Sequence, residues 1–341
     1  MVARRDLDII LSTKASWEKL RGKSVLVTGA SGRLGIYITQ ALIEASSRWN
    51  LDIQVLMLAR SMQKLEEAYG ELLRAKGVKV LLQDVVTPIK TPYDVDYIFH
   101  TAGLASPSDF TYRPIETLWG HVQGTKNVLD LAVEKKSAKI LYVSTVETYG
   151  TWNSQEQIQE TDCGPMDCTN YRACYPEAKR LCETMLACYQ HEHGLDYVSV
   201  RLSHTLGPGI SLDDGRAFAE FMRNTLRGED IVLNSDGSAV RTYTYVADAV
   251  GGMFLALLDG TQGLYNIAAV DNQISVRDLA KLIASMSRTG ATQVRYAAKE
   301  GNGLAYLPFK LGIMDCRRIE ALGWKPLVNT RQLFEWTMES F

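Results

Sequence analysis

The fold of this chain is decided by the segment KSVLVTGASGRLGI at residues 23–36. Its β-branched run, Val25–Val27, predicts a buried strand, and residues 34–45 have the apolar spacing of a helix. The turn between them holds three glycines at G-x-x-G-x-x-G spacing, Gly29, Gly32 and Gly35. Such a turn lets the backbone and the free N–H groups of a helix approach a pyrophosphate, which predicts a dinucleotide site. The other turn residues expected to hold the dinucleotide are Ser31, Arg33 and Leu34.

Charge and apolar patterning exclude several classes of protein. The chain has 341 residues and a formal charge of −2, from 37 Lys and Arg against 39 Asp and Glu, which indicates neither nucleic acid nor a membrane as a partner. The longest apolar stretch, residues 249–258, is too short to span a bilayer, and the first residues lack a signal-peptide pattern. Six cysteines without C-x-x-C spacing predict reduced thiols, a cytoplasmic location and no metal site.

Strand and helix patterns alternate from the glycine turn to about residue 206. The further strand predictions are 54–58, 78–82, 97–100, 139–144 and 197–202. The further helix predictions are 61–76, 114–135 and 175–193. This alternation predicts an α/β fold of Rossmann type, a doubly wound parallel sheet with helices on both faces and a smaller C-terminal substrate-binding domain.

We expect three parts along the chain. Residues 1–22 form a helical extension in which Trp17 and Leu20 are packed. Residues 23–206 form the dinucleotide-binding domain, to which the chain returns around 240–268. The alternation becomes irregular after Gly207-Pro208-Gly209, so residues 207–341 are expected to form mainly a substrate-binding lid.

The end of the second predicted strand bears on the choice between NAD and NADP. An acidic residue there would bind the ribose 2′-hydroxyl of NAD, but the chain has Arg60, and Arg33 lies in the glycine turn. Two cations without a carboxylate suit the 2′-phosphate of NADP, whereas Arg60 stacked on adenine beside a solvated Arg33 would suit NAD. Both cofactors stay open. After the third predicted strand, Asp84 and Val85 are expected to contact the adenine.

Tyr175 and Lys179 are four residues apart, on one face of a predicted helix. An ammonium beside a phenol lowers the phenol pKa, which would make Tyr175 a base that takes a hydroxyl proton near neutral pH. Lys179 is also expected to hold the nicotinamide ribose. Upstream, STVETYG at residues 144–150 ends a predicted strand with hydroxyl groups that can orient a substrate alcohol. The order of these motifs predicts an oxidation–reduction site.

Eight motifs together resemble the extended short-chain dehydrogenase/reductase family, in its nucleotide-sugar epimerase and dehydratase branch. They are TGASGRLG (28–35), DYIFHTAG (96–103), STVETYG (144–150), YPEAK (175–179), RLSHTLGPG (201–209), DGR (214–216), RTYTYVADAV (241–250) and LGWKP (322–326). The resemblance extends from Ser24 to about Pro326. Two stretches, RACYPEAKR and DDGRAFAEF, are most similar to UDP-glucuronate decarboxylases.

The resemblance implies an enzyme with a tightly bound and internally recycled NAD(P) and a nucleoside-diphosphate sugar as substrate. Thr145, Tyr175 and Lys179 would oxidise the sugar at C4, and the 4-keto sugar would then be epimerised, dehydrated or decarboxylated. Further cofactor contacts would come from Ala102 and Gly103, and substrate contacts from Ser106, Thr145, His204, Arg216 and Arg241. The helices at 114–135 and 175–193 resemble the pair through which the family forms homodimers by a four-helix bundle.

Glu147 bears on the step that follows oxidation. The dehydratases and decarboxylases that the chain resembles carry Glu here, and a carboxylate beside C5 can remove the proton that the 4-ketone acidifies. A simpler interpretation is that Glu147 bonds backbone or solvent at a strand end. Departures from the family weaken the case for decarboxylation: Val146 for Asp or Ser, His204 for Asn, His121 for Asn, and Lys310-Leu-Gly-Ile-Met where a decarboxylase Arg is expected. Epimerase and dehydratase chemistry are favoured, and the choice between them stays open.

Two other functions compete with this one. A net NADPH-dependent reductase of a carbonyl substrate is favoured by Arg33 and Arg60. It is opposed by the long lid and by Arg241, which would grip a diphosphate bidentately. A non-catalytic dinucleotide-binding regulator is opposed by the retention of both Tyr175 and Lys179.

Overall fold

A computed structural model describes residues 1–288, 290–297 and 311–341. Its strands are β1 (Ser24–Thr28), β2 (Gln54–Ala59), β3 (Val78–Leu82), β4 (Tyr97–His100), β5 (Lys139–Thr145), β6 (Tyr197–Leu202), β7 (His204–Leu206), β8 (Ile231–Leu233), β9 (Val240–Tyr245), β10 (Gly263–Ile267), β11 (Gln273–Ser275) and β12 (Val294–Tyr296). Its α-helices are α1 (Arg4–Ser12), α2 (Arg33–Arg48), α3 (Met62–Tyr69), α4 (Pro107–Tyr112), α5 (Pro114–Lys135), α6 (Cys174–His193), α7 (Ala217–Arg227), α8 (Val246–Asp259), α9 (Val276–Ala284), α10 (Arg317–Glu320) and α11 (Thr330–Met338).

The central sheet has seven strands in the order β10-β6-β5-β4-β1-β2-β3, and each of its pairings is parallel. The strand order reverses at β1, which pairs with β2 on one side and β4 on the other. In open parallel sheets, ligands bind outside the carboxyl ends of the strands at such a switch point. The predicted doubly wound α/β fold is confirmed.

Helices cover both faces of this sheet. On one face α8 packs against α1 and α2, and it is buried from Val246 to Leu258, so the apolar stretch 249–258 lies in the core. On the other face α5 and α6 pack side by side through apolar residues that include Val128 and Leu186. Within the described part of the chain, no helix combines the length and the apolar character needed to cross a membrane.

Two helix predictions were too long. The helix predicted over 61–76 ends at Tyr69, because Gly70 has a φ of 51°, and a short 3-10 helix follows over Gly70–Arg74. The N-terminal extension is likewise divided into α1 and a 3-10 helix over Trp17–Leu20. Trp17 and Leu20 are buried, as predicted.

The chain leaves the central sheet after β6 and builds two smaller sheets. One has the order β11-β9-β7, and the other pairs β12 with β8. Because β7 begins two residues after β6 ends, the first small sheet borders the carboxyl edge of the central sheet. The chain then returns through α8 and β10, which pairs with β6.

Candidate active site

The glycine turn has the close backbone packing that a pyrophosphate cradle requires. Gly29 has a φ of 69°, and a Cβ there would lie 2.9 Å from the Ala102 Cα. A Cβ on Gly35 would collide with the Gly29 carbonyl oxygen. Gly32 is the exposed N-cap of α2, where free helix N–H groups are available to an anion, so the turn fits a dinucleotide phosphate. Half-buried beside it lie Ser31 and Leu34.

A hydroxyl network fixes the loop after β4 against the glycine turn. The Thr28 hydroxyl bonds His100 Nδ1 at 2.8 Å and accepts the Ala102 N–H at 3.3 Å, while the Thr101 hydroxyl donates to the Thr28 carbonyl at 2.6 Å. The other ring nitrogen of His100 bonds the Thr125 hydroxyl at 3.1 Å. Burial lowers the pKa of His100 to about 3, so the ring is neutral and positions this loop.

The two arginines predicted to meet a 2′-phosphate have separate partners. Arg60 Nη1 lies 3.6 Å from an Asp84 carboxylate oxygen, so a carboxylate does stand beside this cation. Arg33 Nη2 donates to the Thr205 carbonyl of β7 at 2.9 Å. β7 directly follows β6 in the chain, and β6 and β2 lie on opposite sides of β1 in the central sheet. Arg33 is therefore not solvated, and it does not form a joint cationic site with Arg60. Val85, next to Asp84, is buried.

The three residues predicted to carry the redox chemistry come together where β5 ends and α6 begins. Thr145 is the last residue of β5, and its hydroxyl lies close enough to Tyr175 to lower the pKa of the phenol. Lys179 lies one turn further along α6, with its Nζ 5.8 Å from the centre of the Tyr175 ring. That Nζ also donates to the Val143 carbonyl at 2.7 Å, which fixes Lys179 against β5.

The predicted lowering of the Tyr175 pKa is wrong for the protein alone. Burial raises the pKa of the phenol, the charge of Glu147 raises it further, and the nearby Thr145 hydroxyl lowers it less. Burial also lowers the pKa of the Lys179 ammonium to about 8. Tyr175 is therefore a phenol at neutral pH until a further positive charge enters the site.

Glu147 has a partner that the sequence did not predict. Arg172 Nη2 donates to both Glu147 carboxylate oxygens, at 3.2 and 3.0 Å, and each side chain is only 13% exposed. The Arg172 guanidinium lies 4.5 Å from the centre of the Phe110 ring, which stacks on Tyr175 with centroids 4.3 Å apart. The expectation that Glu147 bonds only backbone or solvent is wrong. The signal available was RACY, which places an arginine three residues before Tyr175.

Arg216, just before α7, is close enough to Glu147 for its charge to act on that carboxyl. Its guanidinium pairs with Asp214, including a hydrogen bond of 2.7 Å from Nη2. The charge of Arg216 opposes the burial that raises the pKa of Glu147, and it also acts on Arg33. Burial, followed by the Arg216 charge, lowers the pKa of Arg33 to about 10. Arg33 Nε is buried without a partner among the described residues, so this corner of the site has spare donor capacity.

His204 and Arg241 line one narrow cavity together with Val146. Burial, followed by the charges of Arg216 and Arg241, lowers the pKa of His204 to about 3. His204 is therefore neutral at neutral pH in the protein alone. The cavity is closed by residues 311–314, whereas Lys310 lies outside the described residues.

His121 replaces the family asparagine and packs against the loop after β4. Its Nε2 bonds the Leu104 carbonyl at 2.9 Å, and a Cβ on Gly103 would collide with its ring. In the same loop the Ser106 hydroxyl caps α4, accepting the Asp109 N–H at 3.3 Å and donating to its carboxylate at 2.7 Å. A substrate contact by Ser106 would compete with this cap.

Curated relatives cover nearly the whole chain. UDP-glucuronic acid decarboxylase 6 from Arabidopsis thaliana is 29% identical over 318 residues, which are 93% of this chain and 88% of the relative. UDP-glucuronic acid decarboxylase 1 from Xenopus tropicalis is 28% identical over 320 residues, which are 94% of this chain and 72% of the relative. The likeness to these relatives therefore extends over nearly the whole chain and is not confined to the dinucleotide-binding part.

Solved structures share the fold, and a family match covers the site. A UDP-glucose 4-epimerase from Thermotoga maritima, with UDP-glucose, has a TM-score of 0.78 and 23% identity, covering 93% of this chain and 98% of that chain. A dTDP-glucose 4,6-dehydratase from Streptomyces venezuelae, with NAD bound, has a TM-score of 0.74 and 21% identity, covering 93% and 97%. The match to the NAD dependent epimerase/dehydratase family spans residues 25–268, which include the glycine turn and the Tyr175–Lys179 helix. The protein belongs to this family.

Proposed function

We propose that the protein is a nucleotide-sugar epimerase or dehydratase that oxidises its substrate at sugar C4 and restores its own NAD(P). One observation carries this proposal. Thr145, Tyr175 and Lys179 meet at the carboxyl end of β5, two strands from the glycine turn at the end of β1. A sugar in this crevice would face both a proton-accepting group and a dinucleotide.

The side chains of the trio would position the C4 hydroxyl and move its proton. Tyr175 would take the proton, Thr145 would orient the alcohol, and Lys179 would hold the nicotinamide ribose. The bound nicotinamide supplies the acceptor for the C4 hydride and adds a positive charge to the site. A positive charge lowers the pKa of a neighbouring phenol, which opposes the effect of burial on Tyr175.

The anionic part of the substrate would lie along the lid. Arg241 and the neutral imidazole of His204 line the same cavity and would bind the diphosphate. Arg216 would stand between the diphosphate and the sugar, since its charge acts on both His204 and Glu147. Glu147 would remove the C5 proton in a dehydratase, whereas C4 epimerisation would not need it.

Decarboxylation of a uronic acid is the second candidate, favoured by the names of the curated relatives. Against it, Val146 is apolar, and Leu311 and Gly312 occupy part of the stretch in which a decarboxylase arginine is expected. The two candidates share the same first step at C4.

The test is incubation with UDP-, dTDP-, GDP- and CDP-sugars in heavy water, without added cofactor, followed by mass spectrometry. Loss of water from the substrate with gain of solvent deuterium would identify a dehydratase. A product that is an isomer of the substrate, with an altered chromatographic retention time, would identify an epimerase. Loss of CO2 from a uronate would identify the second candidate. Turnover that requires added NADPH would contradict internal recycling. Tyr175→Phe is the matched inactive control.

We infer that the retained cofactor is NAD. Arg33 Nη2 bonds the Thr205 carbonyl of β7, and Arg60 lies beside the Asp84 carboxylate, so the two guanidinium groups do not form a joint site for a 2′-phosphate. Denaturing the purified protein and identifying the released nucleotide by mass spectrometry tests this directly. Release of NADP would contradict it.

We also infer a homodimer built on α5 and α6. Ile115 and Trp119, one helical turn apart on α5, are 75% and 59% exposed, and Leu181 on α6 is 48% exposed. A second copy would cover this apolar strip in a four-helix bundle. In light scattering, Trp119→Asp is expected to yield monomers. Leu327→Asp, at a site of similar exposure outside these helices, should leave the dimer intact.

A further inference from the structure

Arg172 is held rigidly at the entrance to α6. It lies in a short 3-10 helix over Tyr171–Ala173, and the Asn170 side chain caps this turn by accepting the Arg172 N–H at 2.9 Å. Its guanidinium lies over the Phe110 ring and bonds the Glu147 carboxylate through Nη2. Backbone and side chain are therefore both fixed before any substrate arrives.

The charge on Glu147 depends on its surroundings. Burial raises the pKa of this carboxyl, and the charge and hydrogen bonds of Arg172 are the largest effects that lower it again, followed by the charge of Arg216. The other titratable groups facing it are Tyr175 and Cys174, and the Glu147 charge raises the pKa of each. Among these neighbours Arg172 makes the closest contact.

Arg172 also has a donor to spare. Its Nη1 is buried and has no partner among the described residues, whereas Nη2 makes both bonds to Glu147. An unpaired buried N–H is unfavourable in a resting protein, because the hydrogen bond to water is lost. The pair is therefore incompletely bonded at the point where Glu147 borders Tyr175.

We propose that Arg172 is a positioning residue for Glu147, keeping the carboxylate ionised and oriented beside the Thr145–Tyr175 pair. This inference rests on the proposed function, in which the 4-keto sugar loses its C5 proton. The C5–H bond breaks, the proton passes to a Glu147 oxygen, and the electron pair is taken up by the 4-ketone as an enolate. A carboxylate that is protonated or turned away cannot accept this proton.

The first test needs no substrate, so it stands even if no nucleotide sugar reacts. Glu147 is titrated by NMR in protein labelled with carbon-13 at the glutamate carboxyl carbon, and the signal is assigned with E147Q. In R172Q the titration is expected to move upward by about one to three pH units, because the adjacent cation is lost. In R172K the titration should return most of the way to that of the wild type, since lysine keeps the positive charge. R201Q, which breaks a different buried arginine–glutamate pair, should leave it unchanged.

An unchanged Glu147 titration in R172Q would overturn the proposal. If R172Q does not fold, R172M carries the test, with the same upward shift expected because it also lacks the cation beside Glu147. A wild-type titration of Glu147 in R172M would then overturn the proposal.

The second test asks whether Arg172 acts through Glu147, by following solvent deuterium into C5. In R172Q the acid limb of the pH profile of this exchange rate is expected to move to higher pH. The maximal rate should fall by a larger factor than the factor by which KM changes. In the E147Q background, R172Q should add no further loss, and the double variant leaves no unpaired buried carboxylate. Additive losses would mean that Arg172 acts independently of Glu147, which contradicts the proposal.

Discussion

Two arginine–glutamate pairs are buried to similar depth in this protein and are bonded very differently. Arg201 of β6 donates to Glu183 of α6 at 3.0 and 2.6 Å through two nitrogens, and its third nitrogen donates to the Glu160 carbonyl at 3.2 Å. Arg172 meets Glu147 through one nitrogen only, and its Nη1 has no partner in the described chain. Each guanidinium also lies over an aromatic ring, at 4.4 and 4.5 Å.

The difference separates a pair that holds the fold from a pair that serves the site. Arg201 is fully bonded and ties β6 to α6, so breaking it should mainly affect stability. Arg172 keeps a donor free beside the stack of Phe110 on Tyr175, where the substrate is proposed to bind. Breaking it should mainly affect chemistry. The following predictions test this division.

The largest effect is expected at the reacting end of the site. Tyr175→Phe keeps the stack on Phe110 and the nearby ion pair but removes the proton-accepting hydroxyl. Turnover of the sugar substrate should fall by about 10²- to 10⁴-fold, the usual contribution of a general base. Steady-state kinetics and a thermal melt measure this together. Retained turnover would show that the chemistry lies elsewhere.

Breaking the fully bonded pair should have the largest effect on folding. Arg201→Gln leaves Glu183 buried without its cation and should lower the free energy of unfolding by about 3–5 kcal/mol. Arg172→Gln should lower it by only about 1–3 kcal/mol, since fewer bonds are lost. Urea denaturation of both variants gives the comparison. A larger loss in the Arg172 variant would reverse the proposed roles.

Asp248 is a buried carboxylate that forms no ion pair within the described residues. Asp248 accepts the N–H groups of Leu327 and Val328 at 2.9 and 3.1 Å, and burial raises its pKa to about 6 from an ordinary 3.8. Because the folded pKa is the higher one, stability from this group is greatest at low pH and is lost as pH rises through about 6.

Asp248→Asn should therefore remove about 3 kcal/mol of pH dependence over that interval, as measured by urea denaturation at several pH values. Asp6 and Glu147, whose pKa values burial also raises, stay in place in the variant as further sources of pH dependence. An unaltered pH dependence in the variant would mean that Asp248 titrates normally.

The smallest effect is expected at an exposed pair. Arg74 and Glu71 lie 2.9 Å apart with side chains 81% and 87% exposed. Solvent screens such a pair, so Arg74→Gln should leave both the denaturation midpoint and turnover unchanged. A measurable loss of stability or turnover would show that the distance between the charged atoms, rather than their burial, determines how much each of the three arginine–glutamate pairs contributes.

Much of the fold was predictable because its determinants are local. β3, β4 and β6 begin and end at the predicted residues, and so does α5. Short apolar runs bounded by polar residues were sufficient for this. α3 was predicted too long because helical spacing continued past Gly70, whose positive φ ends the helix.

Side-chain partners in the site were much less predictable. Arg172 is 25 residues from Glu147, and Arg33 is 172 residues from Thr205, so only the folded chain brings these groups together. The Tyr175 pKa was predicted from Lys179 alone, whereas burial and the Glu147 charge have the larger effects. Sequence spacing predicts which groups carry the chemistry. Their protonation depends on desolvation and on distant charges.

The most direct test of internal recycling uses a nucleotide sugar that carries deuterium at C4. With internal recycling, purified protein without added cofactor should convert it to product that retains the label on the sugar, at C4 or at the carbon that receives it. Loss of the label from the sugar, or no conversion until NADPH is supplied, would contradict the account and favour a net reductase.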